Sequence, residues 1–384
     1  MSDERPPRIR LGMVGGGNEA FIGAVHRIAS RIDDNFELVA GALSSTAERA
    51  RASGRALGLD PARSYDDYIA MARREARLKD GIEAVAIVTP NHLHAPVARE
   101  FLRRGIHVIC DKPLTATLPE ARKLAKAAAE SGAVFVLTHN YTAYPMIRQA
   151  RAMVARGALG GLRVVQVEYA QDWLATAIEA SGQKQAGWRT DPERTGAGGS
   201  TGDIGTHAFN IAGFVTGLRL ESLAADLQSF VPGRRVDDNG NVLLRYEGGV
   251  RGMLWCSQVA TGNENSLRLR VYGETGGLEW SQEDPNYLWY TPLGEPKRLL
   301  TRGGAGAGPE AARMTRVPAG HPEGYLECFA GLYAEAARAI RARQAGLPVP
   351  EDVLFPGIED GVAGVAFVDA CVRSSARNGA WVAL

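Results

Sequence analysis

Cysteine is scarce and scattered. The four, Cys110, Cys256, Cys328 and Cys371, show no metal-ligand spacing in 384 residues, so neither a metal site nor a disulfide framework is expected, and reduced thiols fit a cytosol. Charge of one sign is lacking too. Lys and Arg number 44 against 43 Asp and Glu, a formal net charge of +1, and no run of like charge offers nucleic acid a phosphate-binding face. The basic arm from Arg5 to Arg10 is short and reads as a solvated tail. No apolar run is long enough to span a bilayer, and the first residues lack an apolar signal region. The expectation is a cytoplasmic protein with no nucleic-acid and no membrane partner. No internal repeat stands out. What is present is an ordinary apolar content of 45%, enough for a sizeable core, in a length that suggests about two domains at roughly 150 residues each.

The first part of the chain alternates strand and helix. Ile9 to Val14 is a short apolar strand that ends in Gly15-Gly16-Gly17, with a helical pattern from about Ala20 to Ile32. Strand, glycine turn and helix are the context a dinucleotide fingerprint requires, because glycines let the backbone approach a pyrophosphate and the helix N-terminus favours the anion. Gly15 and Gly17 fit the first two positions of G-x-G-x-x-G, but the next glycine, Gly23, stands about three residues late. A plain tight turn is the alternative. After the second strand, Glu37 to Leu43, a cofactor ribose meets Ser44, Ser45 and Arg49 instead of the acid usual at NAD sites. Hydroxyls and an arginine suit a 2′-phosphate, which favours NADP over NAD; alternatively Ser44 or Ser45 caps the next helix.

Further strands, Ala84 to Val88, Ile106 to Cys110 and Val134 to Thr138, each end in a polar cluster. These are T-P-N-H-L-H with Thr89, Asn91 and His94, then D-K-P with Asp111 and Lys112, then T-H-N-Y with Asn140 and Tyr141. The alternation means a doubly wound parallel sheet, and the strand ends of such a sheet line a ligand crevice. Lys112 is a cation delivered to that edge.

Beyond Tyr144-Pro145 the pattern changes. Val164 to Tyr169, Leu220 to Phe230, Asn241 to Tyr246, Val250 to Gln258 and Ser266 to Tyr272 are strand-like, several separated by Asn-Gly or Gly-Gly turns. This is a largely antiparallel α+β domain. Arg302 to Gly308 reads as a flexible loop, and helices over about 322–345 and 357–377 close the chain. The division is expected at 1–140 and 141–384. The dense stretch is Gly198-Gly199-Ser200-Thr201-Gly202-Asp203-Ile204-Gly205-Thr206-His207. A helix beginning near Asp203 places Asp203 and His207 on one face. An alcohol that loses hydride must also lose its hydroxyl proton, and a histidine takes such a proton near neutral pH. The alternative is that Asp203 is a helix N-cap and His207 a core or surface histidine.

With T-P-N-H-L-H at 89–94, D-K-P at 111–113, Trp188-Arg189 and D-I-G-T-H at 203–207 in view, nearly the whole chain resembles the Gfo/Idh/MocA oxidoreductases. The resemblance implies a Rossmann domain, then an α+β domain on a large, mostly antiparallel open sheet that often forms an oligomer interface. It implies NAD or NADP, a sugar, inositol or related polyol as substrate, and a homo-oligomer, dimer or tetramer. Position by position it implies Lys112, Asp203 and His207 as catalytic. Asp111 stands where the family usually has glutamate. Trp188 and Arg189 match a pair that reaches the cofactor in some members. Asn18, Phe21 and Ile22 fall in the stretch that departs from the family pattern before Gly23, with Phe21 and Ile22 placed to pack on the cofactor. Tyr141, Tyr169 and Trp173 form a sugar-facing wall or, above all for Tyr169, are core residues. His321 faces the site or merely starts a helix. Two rivals follow from the same residues: a redox-neutral hydrolase or lyase acting on a glycoside with bound NAD, and a non-catalytic dinucleotide sensor.

Overall fold

The computed structural model describes residues 6–18 and 20–384; Arg5 of the basic arm and Glu19 beside the glycine turn lie outside them. The chain forms two compact units: 1–115, 119–140 and 325–361 in the first, and 116–118, 141–324 and 362–384 in the second. The first unit thus holds 325–361, which a division at 140/141 assigns to the second.

In the first unit β1 (Ile9–Gly15), β2 (Phe36–Ala42), β3 (Ala84–Val88), β4 (His107–Cys110) and β5 (Phe135–Leu137) form a parallel sheet in the order β2-β1-β3-β4-β5. The central strand β3 is buried along its whole length and β4 along all but His107, as a sheet covered on both faces requires. Helices at Phe21–Ile32, Ala47–Ala56, Tyr68–Glu75, His94–Leu102 and Leu118–Ser131 separate them. The helix Tyr325–Gln344 returns to this unit and packs on Phe21–Ile32. Its Tyr333 and Phe329 bury edge-on contacts against Phe36 and His26, and it is this packing that draws 325–361 to the parallel sheet.

In the second unit nine strands make one sheet: β6 (Leu162–Ala170), β7 (Leu220–Gln228), β8 (Asn239–Tyr246), β9 (Arg251–Ser257), β10 (Ser266–Gly273), β11 (Gly276–Ser281), β12 (Tyr287–Pro292), β13 (Arg298–Thr301) and β14 (Val382–Ala383). The order is β13-β12-β11-β10-β6-β9-β8-β7-β14. Only the β6–β9 pair is parallel. The sequence patterning stops at β10; β11 to β13 extend the sheet by short strands, β11 starting in Gly-Gly, β12 with aromatic residues on both faces and β13 only four residues long, which hides the alternation. Residues alternate between a buried face (Val165, Val167, Leu244, Leu254, Leu269) and an open one. The stretch from Arg302 is not loose at its start. The Arg302 guanidinium is buried, donating to Glu323, Asn286 and the Val317 carbonyl. Among the described residues no helix is long and apolar enough to cross a membrane.

Candidate active site

The first unit gathers its polar clusters at the C-terminal ends of the parallel strands. β1 runs into Gly15 and Gly16, both in the left-handed region (φ 78° and 69°), where glycine is unstrained. A Cβ on Gly15 would come within 2.5 Å of the Val88 carbonyl, and one on Gly17 within 2.7 Å of the Leu43 carbonyl. Gly23 matters equally. Its Cβ would stand 2.3 Å from the Gly16 carbonyl oxygen, so this late glycine lets the helix Phe21–Ile32 approach the turn as the third fingerprint glycine does. Arg27 from the same helix donates to the Gly16 carbonyl.

Asn18 is exposed and its backbone N–H donates to Ser53 Oγ (3.3 Å). Phe21 is 71% exposed, its ring 6.3 Å from that of Tyr325, and Ile22 is half-buried. After β2, Ser44 is half-buried while Ser45 and Arg49 are exposed. Neither serine caps the following helix: its N-cap is Thr46, without a side-chain cap bond.

At the end of β3, Asn91 is buried and Thr89 is partly so. His94 is a brace. Its Nε2 lies 2.8 Å from the Thr89 carbonyl and its Nδ1 2.8 Å from the Pro113 carbonyl, which seats the ring between this turn and the D-K-P segment. Burial pushes its pKa down. Asp111 accepts from Thr138 Oγ1 (2.7 Å) and lies 3.2 Å from His26 Nε2. Burial alone would raise the Asp111 carboxyl, but the attraction and hydrogen bonding of His26, with the Thr138 bond, hold it below its ordinary 3.8. Lys112 follows, half-buried. Beyond β5, burial and the Lys112 ammonium drive the His139 pKa down to about 3. Asn140 is buried, its Nδ2 3.2 Å from Cys328 Sγ.

A dinucleotide fits these residues. The glycine turn is a cradle that Cβ atoms would fill, and Thr89 Oγ1 and His92 Nδ1 at the end of β3 are buried polar atoms without a hydrogen-bond partner among the described residues. Buried polar groups of that kind are satisfied by something, and a polar ligand at a strand end is one such partner.

The second unit holds the other cluster. The carboxylate of Asp237 accepts from the Gly199 and Thr201 amides and from the Ser200 and Thr201 hydroxyls at 2.7–2.8 Å, which fixes the entry to a helical run. That run opens with a π turn, Thr201–Gly205, and continues as Thr206–Thr216. The helix therefore starts before Asp203, and Asp203 is not its cap. Wide turns of this sort concentrate at functional sites. Asp203 Oδ2 accepts from Gln258 Nε2 (2.9 Å) and from Arg189 Nε (3.3 Å). The Arg189 guanidinium lies over the Trp188 ring at 4.2 Å and near Trp173 at 5.9 Å. His207 is buried edge-on against Tyr141 (4.8 Å) and Tyr169 (6.1 Å). The two tyrosine hydroxyls are 2.6 Å apart, and Tyr169 donates to Asn265 Oδ1 (2.7 Å). Trp173 is half-buried and donates to Gln171 (3.1 Å). His321 sits on an exposed bend ahead of the helix that begins at Tyr325, its Nδ1 3.4 Å from the Pro318 carbonyl.

The structure thus brings Asp203, Arg189, Trp188 and Trp173 together, and His207 with Tyr141 and Tyr169. Sequence reasoning missed Gln258, Asn265, Asp237 and His26. Each sits far along the chain from its partner and carries no local motif.

Comparison with known proteins agrees with the two-part fold. Residues 9–140 match the model of an oxidoreductase family with an NAD-binding Rossmann fold, and residues 147–279 match the GFO/IDH/MocA C-terminal domain. An uncharacterized oxidoreductase, YfiI, of Bacillus subtilis (strain 168) is 34% identical over 378 residues, 97% of this chain and 96% of that one. A crystal structure of an oxidoreductase from Sinorhizobium meliloti is 64% identical with a TM-score of 0.90, covering 98% of this chain and 100% of the other. An inositol dehydrogenase homolog from Azotobacter vinelandii, solved with NAD+, is 40% identical with a TM-score of 0.95 over 98% of each chain. A structure of an inositol dehydrogenase homolog from Azotobacter vinelandii with NADH and myo-inositol gives 38% and 0.92, again over 98% of each chain.

Proposed function

The chain belongs to the Gfo/Idh/MocA oxidoreductase family, and from that premise we propose that it is a dehydrogenase that moves hydride between a secondary alcohol of a sugar, an inositol or a related polyol and the nicotinamide of NAD or NADP. The observation that carries the reading is the π turn of the second unit, where Asp203 is held by Arg189 and Gln258 and a buried histidine follows one turn later. The Azotobacter vinelandii homolog, solved with NADH and myo-inositol, supports inositol as the first substrate to try.

Each residue has one task. His207, its ring held by two tyrosine edges, takes the hydroxyl proton during oxidation. The Lys112 ammonium polarises the reacting oxygen. Asp203, acceptor-only when ionised, orients a substrate hydroxyl or the imidazole. Gly15 and Gly17 admit the pyrophosphate, with Asn18, Phe21 and Ile22 beside them. Thr89, Asn91, Asp111 and Asn140 line the strand ends. The dinucleotide, when bound, supplies the hydride acceptor. Ser44, Ser45 and Arg49 favour a 2′-phosphate, while the NAD+ and NADH of the homolog structures support NAD. Tyr141 and Trp173 would face the sugar, with His321 a further candidate. The outer face of the nine-stranded sheet pairs with a second copy of the chain.

The deciding experiment follows absorbance of the reduced nicotinamide with myo-inositol, other inositols and sugars and their keto forms, each with NAD and with NADP. A change with one substrate class supports the reading and ranks the cofactors. A flat trace across the panel, with dinucleotide shown to bind, overturns it in favour of a redox-neutral enzyme or a sensor.

A further inference from the structure

At the D-K-P segment lies a chain of hydrogen bonds, from Thr138 to Asp111 to His26 to Tyr333, that the roles above do not use. His26, in the helix Phe21–Ile32, is 0% exposed. Its Nε2 is 3.2 Å from Asp111 Oδ1 and its Nδ1 is 2.8 Å from the Tyr333 hydroxyl. The rings of Phe329 and Tyr333 meet it edge-on at 5.2 and 5.8 Å, so the imidazole has no room to turn. A carboxylate only accepts, so Nε2 carries the hydrogen toward Asp111, while Nδ1 bonds the Tyr333 hydroxyl, a group that can both donate and accept. Thr138 donates to the same Asp111 oxygen (2.7 Å). The Asp111 carboxylate is therefore gripped from the helix Phe21–Ile32 and from the end of β5, with Tyr333 of the helix Tyr325–Gln344 locking the histidine. The next residue in the chain is Lys112. Other titratable groups in this neighbourhood are His94, His139 and the Cys110 thiol.

We propose that His26 is a positioning residue for Lys112: locked by Tyr333, it pins the Asp111 carboxylate and so fixes the backbone from which the ammonium extends. This rests on the reading of Lys112 as the polarising cation. A histidine that only filled space between two helices would need neither of its nitrogens satisfied, and a leucine would do as well.

The test uses the full chain with His26→Leu, His26→Gln, Tyr333→Phe, Asp111→Asn and the His26→Leu/Asp111→Asn double variant, with Lys112→Ala in parallel. Four quantities are read: melting temperature, NAD+ dissociation constant, kcat and KM for myo-inositol with NAD+, and the rate at which acetic anhydride acetylates the Lys112 amine across pH, followed by mass spectrometry. The expected result is a kcat loss of ~10-fold or more in His26→Leu with NAD+ binding held within about two-fold. The Lys112 acetylation profile moves in His26→Leu, and His26→Gln, which keeps an N–H for Asp111, restores both. His26→Leu adds no further loss once Asp111 is Asn, the signature of two residues acting as a unit. Equal losses in His26→Leu and His26→Gln with an unmoved Lys112 profile overturn the proposal. If Lys112→Ala turns over normally, the polarising role is what fails, and the acetylation profile still shows whether His26 governs the amine. If myo-inositol is not turned over, that profile alone decides.

Discussion

His139 is a buried base beside a cation, and that combination makes it a record of pH. It is neutral in both folded and unfolded chains above 6.5. Between 6.5 and about 3 the unfolded chain takes up a proton that the folded chain refuses, because burial and the Lys112 ammonium disfavour the imidazolium. Stability is therefore present above pH 6.5 and lost as pH falls through that window, at up to ~1.4 kcal/mol per pH unit for each such proton. His94 and His107, also depressed by burial, act in the same direction. Replacing His139 with Asn is expected to flatten the dependence of unfolding free energy on pH between 6 and 4 by one proton, measured by denaturant titration; an unchanged slope refutes it. Lys112→Ala and His207→Asn are each expected to lower kcat by ~10²–10⁴-fold with dinucleotide affinity nearly kept, the range for loss of a positioned proton-transfer or polarising group, checked by steady-state kinetics and binding titration. Lys112, Asp203 and His207 were legible because each stands in a motif at a strand end or helix start. Gln258 and Asn265 were not. They reach Asp203 and Tyr169 only through pairings between distant strands, and a glutamine or asparagine in an alternating strand looks like any solvent-facing polar residue.

Among the elements, the glycine turn shows how spacing alone misleads. Counted by its motif, Gly23 falls out of place. In the fold it packs on Gly16, so the helix reaches the turn by a different number of residues with the same close contact. Gly23→Ala puts a methyl group 2.3 Å from the Gly16 carbonyl oxygen, and the helix or the turn must shift. Overpacking of this kind costs about 1–3 kcal/mol, and the displaced turn is expected to weaken NAD+ binding by ~10-fold or more. Calorimetric melting and a binding titration read the two effects, and wild-type values for both would show that the turn tolerates the shift. The same limit applies to the π turn at Thr201–Gly205. Four-residue spacing announces a helix through Asp203 and His207, whereas the wide turn depends on Asp237, more than thirty residues away in the chain, gripping its entry. The strands of the first unit were legible because most are short, largely apolar runs that end in glycine or in a polar cluster, with amphipathic helices between them. β11 to β13 were not: β11 opens on two glycines, β12 carries aromatic residues on both faces, and β13 is only four residues long.

For the whole molecule, the two fold classes were readable from the switch between alternating and continuous apolar patterns, but the return of 325–361 to the first unit was not, since a helix carries no mark of which sheet it will cover. The open face of the nine-stranded sheet carries the last consequence. Leu243, Met253, Gln166, Arg270, Glu279 and Trp289 are successive cross-strand neighbours in one line. Leu243 and Met253 are each 52% exposed, and they border a groove of ≈ 390 Å³ on this face. An exposed apolar pair, Leu243 and Met253, beside Glu168, to which Arg268 and Arg270 both pair, suits a self-complementary partner. The substitution that tests it must spare the sheet itself. Leu243 and Met253 stand directly opposite each other, so Leu243→Lys with Met253→Glu places opposite charges across the strand pair, which a sheet accepts, while a face-to-face contact between copies would have to bury both. Light scattering is expected to show an oligomer for the unaltered chain and a single chain for the double variant, with the melting transition of the single chain still cooperative. A single chain before any substitution would remove this surface as an interface, and an oligomer that survives the double variant would move the interface elsewhere.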